Sequence, residues 1–237
     1  IICDLYLILK SYKYNIKVLR MNYISTLSSS VSLQKTLKRK IHFSGVGVHN
    51  GRAVSICIEP AEVDTGIVFH RTDLDNNNII KAVIDNVTDS RLCTKIKNSS
   101  GIFVSTIEHL MAALSALGID NAVIKINSSE LPALDGSSHE YVKKIIGSGI
   151  KTQNRKKKVF KVIKKVEVRS GDRFISITPS NRLSVNISIN YPDTIIGHSQ
   201  YLYTHTQDNF INNLSMARTY TLHEDIEKMR TAGLAIG

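Results

Sequence analysis

The sequence predicts an α+β fold in which small, mostly antiparallel sheets are layered on helices. Three observations carry that reading. Val54, Ile56 and Ile58 alternate with Ser55, Cys57 and Glu59, the period-two pattern of a strand with one buried face. Ile107, Leu110, Met111, Leu114 and Leu117 recur at the period of an amphipathic helix. Strand patterns come in runs joined by turn signals, and helical patterns follow them, as in layered α+β domains.

The 237 residues allow one large domain or two small ones, each able to bury a core. Hydrophobic content of 42% and charged content of 22% are ordinary for a globular protein. Cys3, Cys57 and Cys93 stand in no CxxC or ligand-like spacing, which argues against a disulfide framework and for a reducing, cytoplasmic setting. Residue 1 is isoleucine and the first methionine is Met21. Residues 1–9 are apolar apart from Asp4, too short to cross a bilayer and without the basic start of a signal peptide. Residues 1–33 are therefore expected to be an unfolded leader, with translation starting at Met21.

From residue 34 the folded part begins, with a strand expected over 36–43. The run Gly45-Val46-Gly47-Val48-His49-Asn50-Gly51 has two glycines but no G-x-G-x-x-G spacing and no Lys-Ser/Thr, so it is not a phosphate loop. Asn50-Gly51 predicts a type I′ hairpin instead, with His49 as a turn residue. Strands follow at 54–59 and 67–69, then Arg71-Thr72-Asp73-Leu74, a polar turn at 75–78, an extended piece at 79–87 and a hairpin around 98–101. The helix at 105–117 is stopped by Gly118, and Asp120-Asn121 turns the chain into a strand at 122–127. Ser137-x-x-Glu140 predicts a capped second helix that turns Tyr141, Val142, Ile145 and Ile146 inward.

Residues 34–150 thus form a first α+β domain. The net charge of +11 raises a nucleic-acid hypothesis, but eight of the Lys and Arg residues fall between Lys151 and Lys165 and aromatics are only 6%, which is poor material for base stacking. Residues 151–158 are expected to be a solvated basic linker. The second α+β domain, 159–237, opens with a strand at 159–168 and a hairpin at Gly171-Asp172. Leu183, Val185, Ile187, Ile189 and Tyr191 alternate with polar residues as a half-buried strand, and helices follow at 210–217 and 223–230. This domain looks incomplete, since the sequence stops at Gly237 in an apolar stretch with no closing helix.

Glu108-His109, in the first turn of the 105–117 helix, has two readings. Ser105-x-x-Glu108 fits a capping box, in which Glu108 ties off the helix N-terminus; adjacent helical residues point about 100° apart and need not converge. Alternatively, the pair is a general base beside a metal ligand. The dipeptide alone leaves both open.

Taken in order, the 45–51 glycine run, Arg71-Thr72-Asp73-Leu74, Leu92-Cys93-Thr94, the 105–137 block and Ala217-Arg218-Thr219 onward resemble the bacterial UDP-3-O-acyl-N-acetylglucosamine deacetylases, zinc amidases of lipid A synthesis. The resemblance covers residues 35–237. It implies that His109 is a zinc ligand, Glu108 the general base and Thr219 a hydrogen-bond partner of the reacting carbonyl, with Tyr220 beside it. It places Leu92 and Cys93 near the acyl-chain passage, His49 near the metal and Asp225 near the nucleotide.

The chemistry suits those residue types. Zinc polarises a poor amide electrophile and lowers the pKa of bound water to about 7; a carboxylate takes that water's proton; hydrogen-bond donors hold the oxyanion. The resemblance also implies two further zinc ligands beyond position 237. One ligand of three would leave this chain inactive by itself. His223-x-x-x-Glu227 has ligand-like spacing, but the resemblance puts it on a solvent-facing helix. Three functions stay open: zinc-dependent hydrolysis of the N-acetyl group of a UDP-sugar lipid precursor, the committed step of lipid A synthesis; an inactive fragment of that lineage; and a basic nucleic-acid-binding protein. The first carries with it no nucleic acid and no stable membrane insertion.

Overall fold

The computed structural model describes residues 32–89, 92–159, 161–192 and 194–237. Most of the expected leader lies outside the described residues. Ser32 and Leu33, placed in that leader by sequence, already belong to the fold: the Ser32 carbonyl accepts from the Lys157 amide, and Leu33 opens β1 (Leu33–Leu37).

β1 pairs antiparallel with β10 (Ile150–Lys156). The expected basic linker is therefore largely a strand. Its charges sit at exposed positions while Gln153 turns inward, and carboxylates receive the cations, Arg155 on Asp64 at 2.9 Å and Lys157 on Asp120 at 3.0 Å. Charged side chains are normal on such an edge. Beneath the pair lies Asn121, 1% exposed. Its Nδ2 donates to Gln34 Oε1 and to Gln153 Oε1, each at 2.8 Å, and its Oδ1 accepts from the Gly66 amide at 2.8 Å.

The predicted strand at 36–43 breaks at Lys38-Arg39-Lys40, so β2 (Ile41–Val46) joins a different sheet from β1. With β3 (Ala53–Pro60), β4 (Ile67–Arg71), β5 (Ile79–Lys81) and β9 (Ala122–Ile126) it forms the main sheet, ordered β2-β3-β9-β4-β5 and antiparallel except between β4 and β9. The alternation seen in sequence is realised: Val54, Ile56, Ile58, Ile124 and Ile126 are buried, while Glu59 and Lys125 pair at 2.9 Å between the same two strands.

Helices α1 (Glu108–Ala116) and α2 (His139–Ser148) contribute Leu110, Ala113, Leu114, Tyr141, Val142 and Ile145 to the same core cluster. Phe43 of β2 and Tyr141 of α2 pack at 4.8 Å between ring centroids, tilted by 52°. Each such fully buried side chain contributes about 1.5–3 kcal/mol, so this layer dominates the stability of the chain.

A ribbon of β6 (Val87–Asp89), β7 (Lys95–Lys97) and β8 (Phe103–Val104) leads into α1. Arg71 fixes it to the main sheet: its guanidinium forks onto Asp73 at 2.8 and 2.7 Å and donates to the Phe103 carbonyl at 2.9 Å.

Neither predicted capping box forms. α1 starts at Glu108, its N-cap is Ile107, and the Ser105 hydroxyl donates instead to the Ser129 carbonyl at 3.2 Å. At α2 the Ser137 hydroxyl accepts from the His139 amide and donates to Asp135, and Glu140 returns nothing to the cap. The β2–β3 connection is a six-residue loop, closed by the Gly47 amide on the Arg52 carbonyl at 3.0 Å, rather than a two-residue type I′ turn. Only Gly51 of the Asn50-Gly51 pair has positive φ, 62°.

The remainder is two hairpins, β11 (Val166–Ser170) with β12 (Arg173–Ile177) and β13 (Ser184–Tyr191) with β14 (Gly197–Thr204), then a helical turn α3 (Gln207–Asn209) continuing as a π-turn (Phe210–Leu214), and α4 (His223–Thr231). The strand expected at 159–168 begins only at Val166. Val185 and Ile189 are half-buried as the alternation predicts, while Leu183, Ile187 and Tyr191 are exposed, so the expected half-buried face is only partly covered. Tyr203 and Phe210 reach back into the main core. Among the described residues no helix is long and apolar enough to cross a membrane. The fold is α+β.

Asn121→Ala strands Gln153 Oε1 and the Gly66 N–H, each costing about 1–3 kcal/mol, and leaves Gln34 Oε1 with the Asp64 amide alone. Urea titration is expected to show a loss of about 2 kcal/mol or more; a loss below about 1 kcal/mol would mean the network does not hold β1, β9 and β10 together.

Candidate active site

The candidate site is built where the β6–β8 ribbon turns into α1. Thr106, just before the helix, has φ 57°. For a β-branched residue this is an outlier that needs support from its neighbours. Ile107 is buried in the core, and Glu108 and His109 follow, both half-buried. Glu108 Oε2 accepts from the Thr94 amide at 2.9 Å. The carboxylate is thus aimed by the 92–94 segment rather than consumed at its own helix end. Among the described residues no hydrogen bond reaches the His109 ring.

Cys93 is half-buried beside this carboxylate. Burial pushes its thiol above the ordinary value. Hydrogen bonds from the Thr106 amide and hydroxyl pull the other way, and the charges of Glu108 and Glu130 add to the upward push. Tyr141 approaches from α2: burial, and secondarily the Glu108 charge, raise its phenol, whose hydroxyl donates to the Pro132 carbonyl at 3.3 Å. Leu92 is 54% exposed.

His49 enters through a residue that the sequence did not single out. Glu130, 1% exposed, accepts from the His49 amide at 2.9 Å, the Asn50 amide at 2.8 Å and the Thr106 hydroxyl at 3.0 Å. His49 Nδ1 and Asn50 Nδ2 are buried, with no hydrogen-bond partner among the described residues. A lone acid three residues after a buried strand was the available signal, but nothing local shows that it is buried.

The second half is placed differently. The Thr219 amide donates to the Gly136 carbonyl at 2.9 Å, at the turn before α2. Next to it, Asp135 keeps its carboxyl below the usual value: burial opposes, but Ser137 hydrogen bonds and the Arg218 charge prevail. Tyr220 is exposed and packs edge-on against Tyr191 at 6.2 Å, and that contact's hydrogen bond raises its phenol. Asp225 pairs with Lys228 at 3.1 Å on the surface of α4. His223 and Glu227 are exposed there too, Glu227 facing Arg230. The structure therefore brings together Glu108, Cys93, His49, Thr106 and Glu130 through hydrogen bonds and charge. The bonds of Thr219, Tyr220 and Asp225 lead elsewhere.

A catalytic zinc takes three protein ligands. Among the described residues no group of three or more His, Cys, Asp or Glu is assembled for a metal ion. His109 is a single candidate, so these residues do not by themselves fit a zinc centre.

Glu108→Gln removes a negative charge that disfavours the Cys93 thiolate. The pH at which Cys93 reaches half-maximal alkylation is expected to fall in this variant, with Cys57 unchanged; an unmoved Cys93 profile would separate the two side chains.

Residues 34–237 match the family model described as UDP-3-O-acyl N-acetylglycosamine deacetylase. Three curated relatives, each named UDP-3-O-acyl-N-acetylglucosamine deacetylase, illustrate the match. The Actinobacillus succinogenes protein is 40% identical over 206 residues, 86% of this chain and 68% of its own length. The Shewanella frigidimarina protein is 40% identical over 206 residues, covering 86% and 67%, and that of Wigglesworthia glossinidia brevipalpis 38% over 207 residues, covering 86% and 70%. The chain belongs to the UDP-3-O-acyl N-acetylglycosamine deacetylase family.

Proposed function

We propose that this chain carries part of the site that hydrolyses the N-acetyl group of UDP-3-O-acyl-N-acetylglucosamine in lipid A synthesis. The observation that carries the reading is Glu108: a half-buried carboxylate at the start of α1, held by the Thr94 amide through one oxygen, in a chain of the deacetylase family. That geometry leaves the second oxygen for a proton in transit.

In the reaction, the oxygen of water bonds to the acetyl carbon while Glu108 takes the water proton. The C–N bond then breaks, acetate leaves, and a proton passes to the sugar nitrogen. Thr219 is assigned as a donor to the oxyanion, with Tyr220 beside it, and His49 is assigned near the metal. Leu92 and Cys93 line the acyl passage. Asp225 is assigned to the nucleotide end once its pair with Lys228 opens. The zinc of this family would take His109 as a ligand; only the chain's own groups are assigned steps. A cytoplasmic setting is supported by the cysteine pattern. The proposed organisation is two α+β domains, 34–150 and 159–237, with β10 folded back onto β1.

A second reading, binding of the sugar nucleotide without turnover, is favoured by one observation. The described residues assemble no three-ligand group.

Both readings are tested on the 237-residue chain with UDP-3-O-acyl-N-acetylglucosamine and zinc, following binding by calorimetry and acetate by its release. Binding with little or no acetate is expected, and any acetate released is expected to vanish in Glu108→Ala and with a chelator. Turnover near that of a relative would overturn the expected inactivity. No binding of the sugar nucleotide, with steeply salt-sensitive binding to random nucleic acid, would overturn the assignment.

A further inference from the structure

Glu130 is the most buried carboxylate in the described structure, and its three donors come from two separate segments. Loop 47–52 supplies consecutive main-chain amides, those of His49 and Asn50. The residue before the α1 turn supplies the hydroxyl of Thr106. The loop is shaped around the acid: a Cβ at Gly47 would stand 2.7 Å from Glu130 Oε2 and 2.5 Å from Asn50 Oδ1. Thr106 is held in a left-handed conformation that a β-branched residue avoids, and its amide and hydroxyl border Cys93. Ser105 bridges to Glu130 in the main chain as well.

We infer that Glu130 is a positioning residue: its buried carboxylate clamps Thr106 and the His49 loop to one point and so fixes where Glu108 and His49 stand. The inference rests on the proposed role of Glu108, but the clamp itself does not. The two oxygens divide the work. Oε1 accepts from His49 and Thr106, and Oε2 accepts from Asn50. A glutamine in this place keeps an oxygen for the first pair and turns its NH2 toward the Asn50 amide, donor against donor. An alanine releases all three.

The test uses the full chain, folded as judged by thermal unfolding, with iodoacetamide as probe and peptide mass spectrometry as readout. Cys93 reports on Thr106, and Cys57, in the main sheet, is the internal reference. Glu130→Ala frees the Thr106 segment, opens half-buried Cys93 to the probe and removes a charge that disfavours its thiolate; these outweigh the loss of the Thr106 hydrogen bonds, and the alkylation rate is expected to rise on the order of tenfold. Glu130→Gln is expected to leave it within about twofold, while amide exchange at Asn50 speeds up more than at His49. A uniform loosening of the fold would not split the two arms in this way. If Glu130→Ala does not fold, Thr106→Val removes one of the three donors, and amide exchange at His49 and Asn50, which share the same carboxylate, is expected to speed up severalfold. An unchanged Cys93 rate in the folded Ala variant, equal Cys93 rates in the Gln and Ala variants, or unchanged exchange in the Val variant overturns the inference. Neither readout needs turnover, so a chain without deacetylase activity still answers the question. Loss of the split would likewise leave the role of Glu108 standing.

Discussion

A carboxylate taken out of water loses several kcal/mol of solvation unless the protein returns hydrogen bonds. Glu130 is in that position, and its three donors return about 1.5–3 kcal/mol each. The loss and the return are of similar size, so each missing donor weakens the arrangement. This couples the geometry of the candidate site. The loop carrying His49 and the left-handed Thr106 are located together because they share one oxygen of that carboxylate. Such a buried charge adds little net stability; its value lies in permitting one arrangement and penalising the others.

The scaffold behind it follows a different logic. The inner face of the main sheet and the apolar stripes of α1 and α2 form one continuous core, which tolerates variation in detail so long as volume is kept. Directional polar contacts appear where separate pieces must be located against that core. Asn121 locates the β1–β10 pair through two buried amides, and Arg71 locates the β6–β8 ribbon through Asp73 and the Phe103 carbonyl. The ribbon ends where Glu108 begins. The Thr94 amide that aims Glu108 is therefore tied, through the ribbon, to the same sheet that α1 packs on.

The core was legible because burial imposes periods on a sequence. Val54, Ile56 and Ile58 alternate, Leu110 and Leu114 recur, and both patterns survive intact in the structure. What misled was local chemistry whose partners are distant. Ser105-x-x-Glu108 has the composition of a capping box, yet Ser105 is drawn to Ser129 and Glu108 to Thr94. Asn50-Gly51 has the composition of a tight hairpin, yet the Asn50 amide is taken by Glu130, 80 residues away. Lys151, Arg155 and Lys156 have the composition of a linker, yet β1 pairs with them because the strand's exposed edge carries the charge. In the site, the Glu-His pair was visible as a dipeptide. Glu130 was not, since neither its burial nor its donors leave a mark in the neighbouring residues.

The two readings of Glu108 exclude each other physically, and the choice between them bears on what the chain can do. A carboxylate that reaches back to its own N-cap has its lone pairs engaged by the helix and sits on the helix axis. Here the N-cap is Ile107, which has no side chain to reciprocate, and its burial in the core pins the first turn from below. Glu108 is left to project sideways, held through one oxygen by an amide from another segment. The unpaired N–H groups of the first turn still place partial positive charge beside it, which favours any oxyanion formed nearby. A failed cap therefore supplies what a general base needs: a fixed direction, a free oxygen and a neighbourhood that tolerates negative charge.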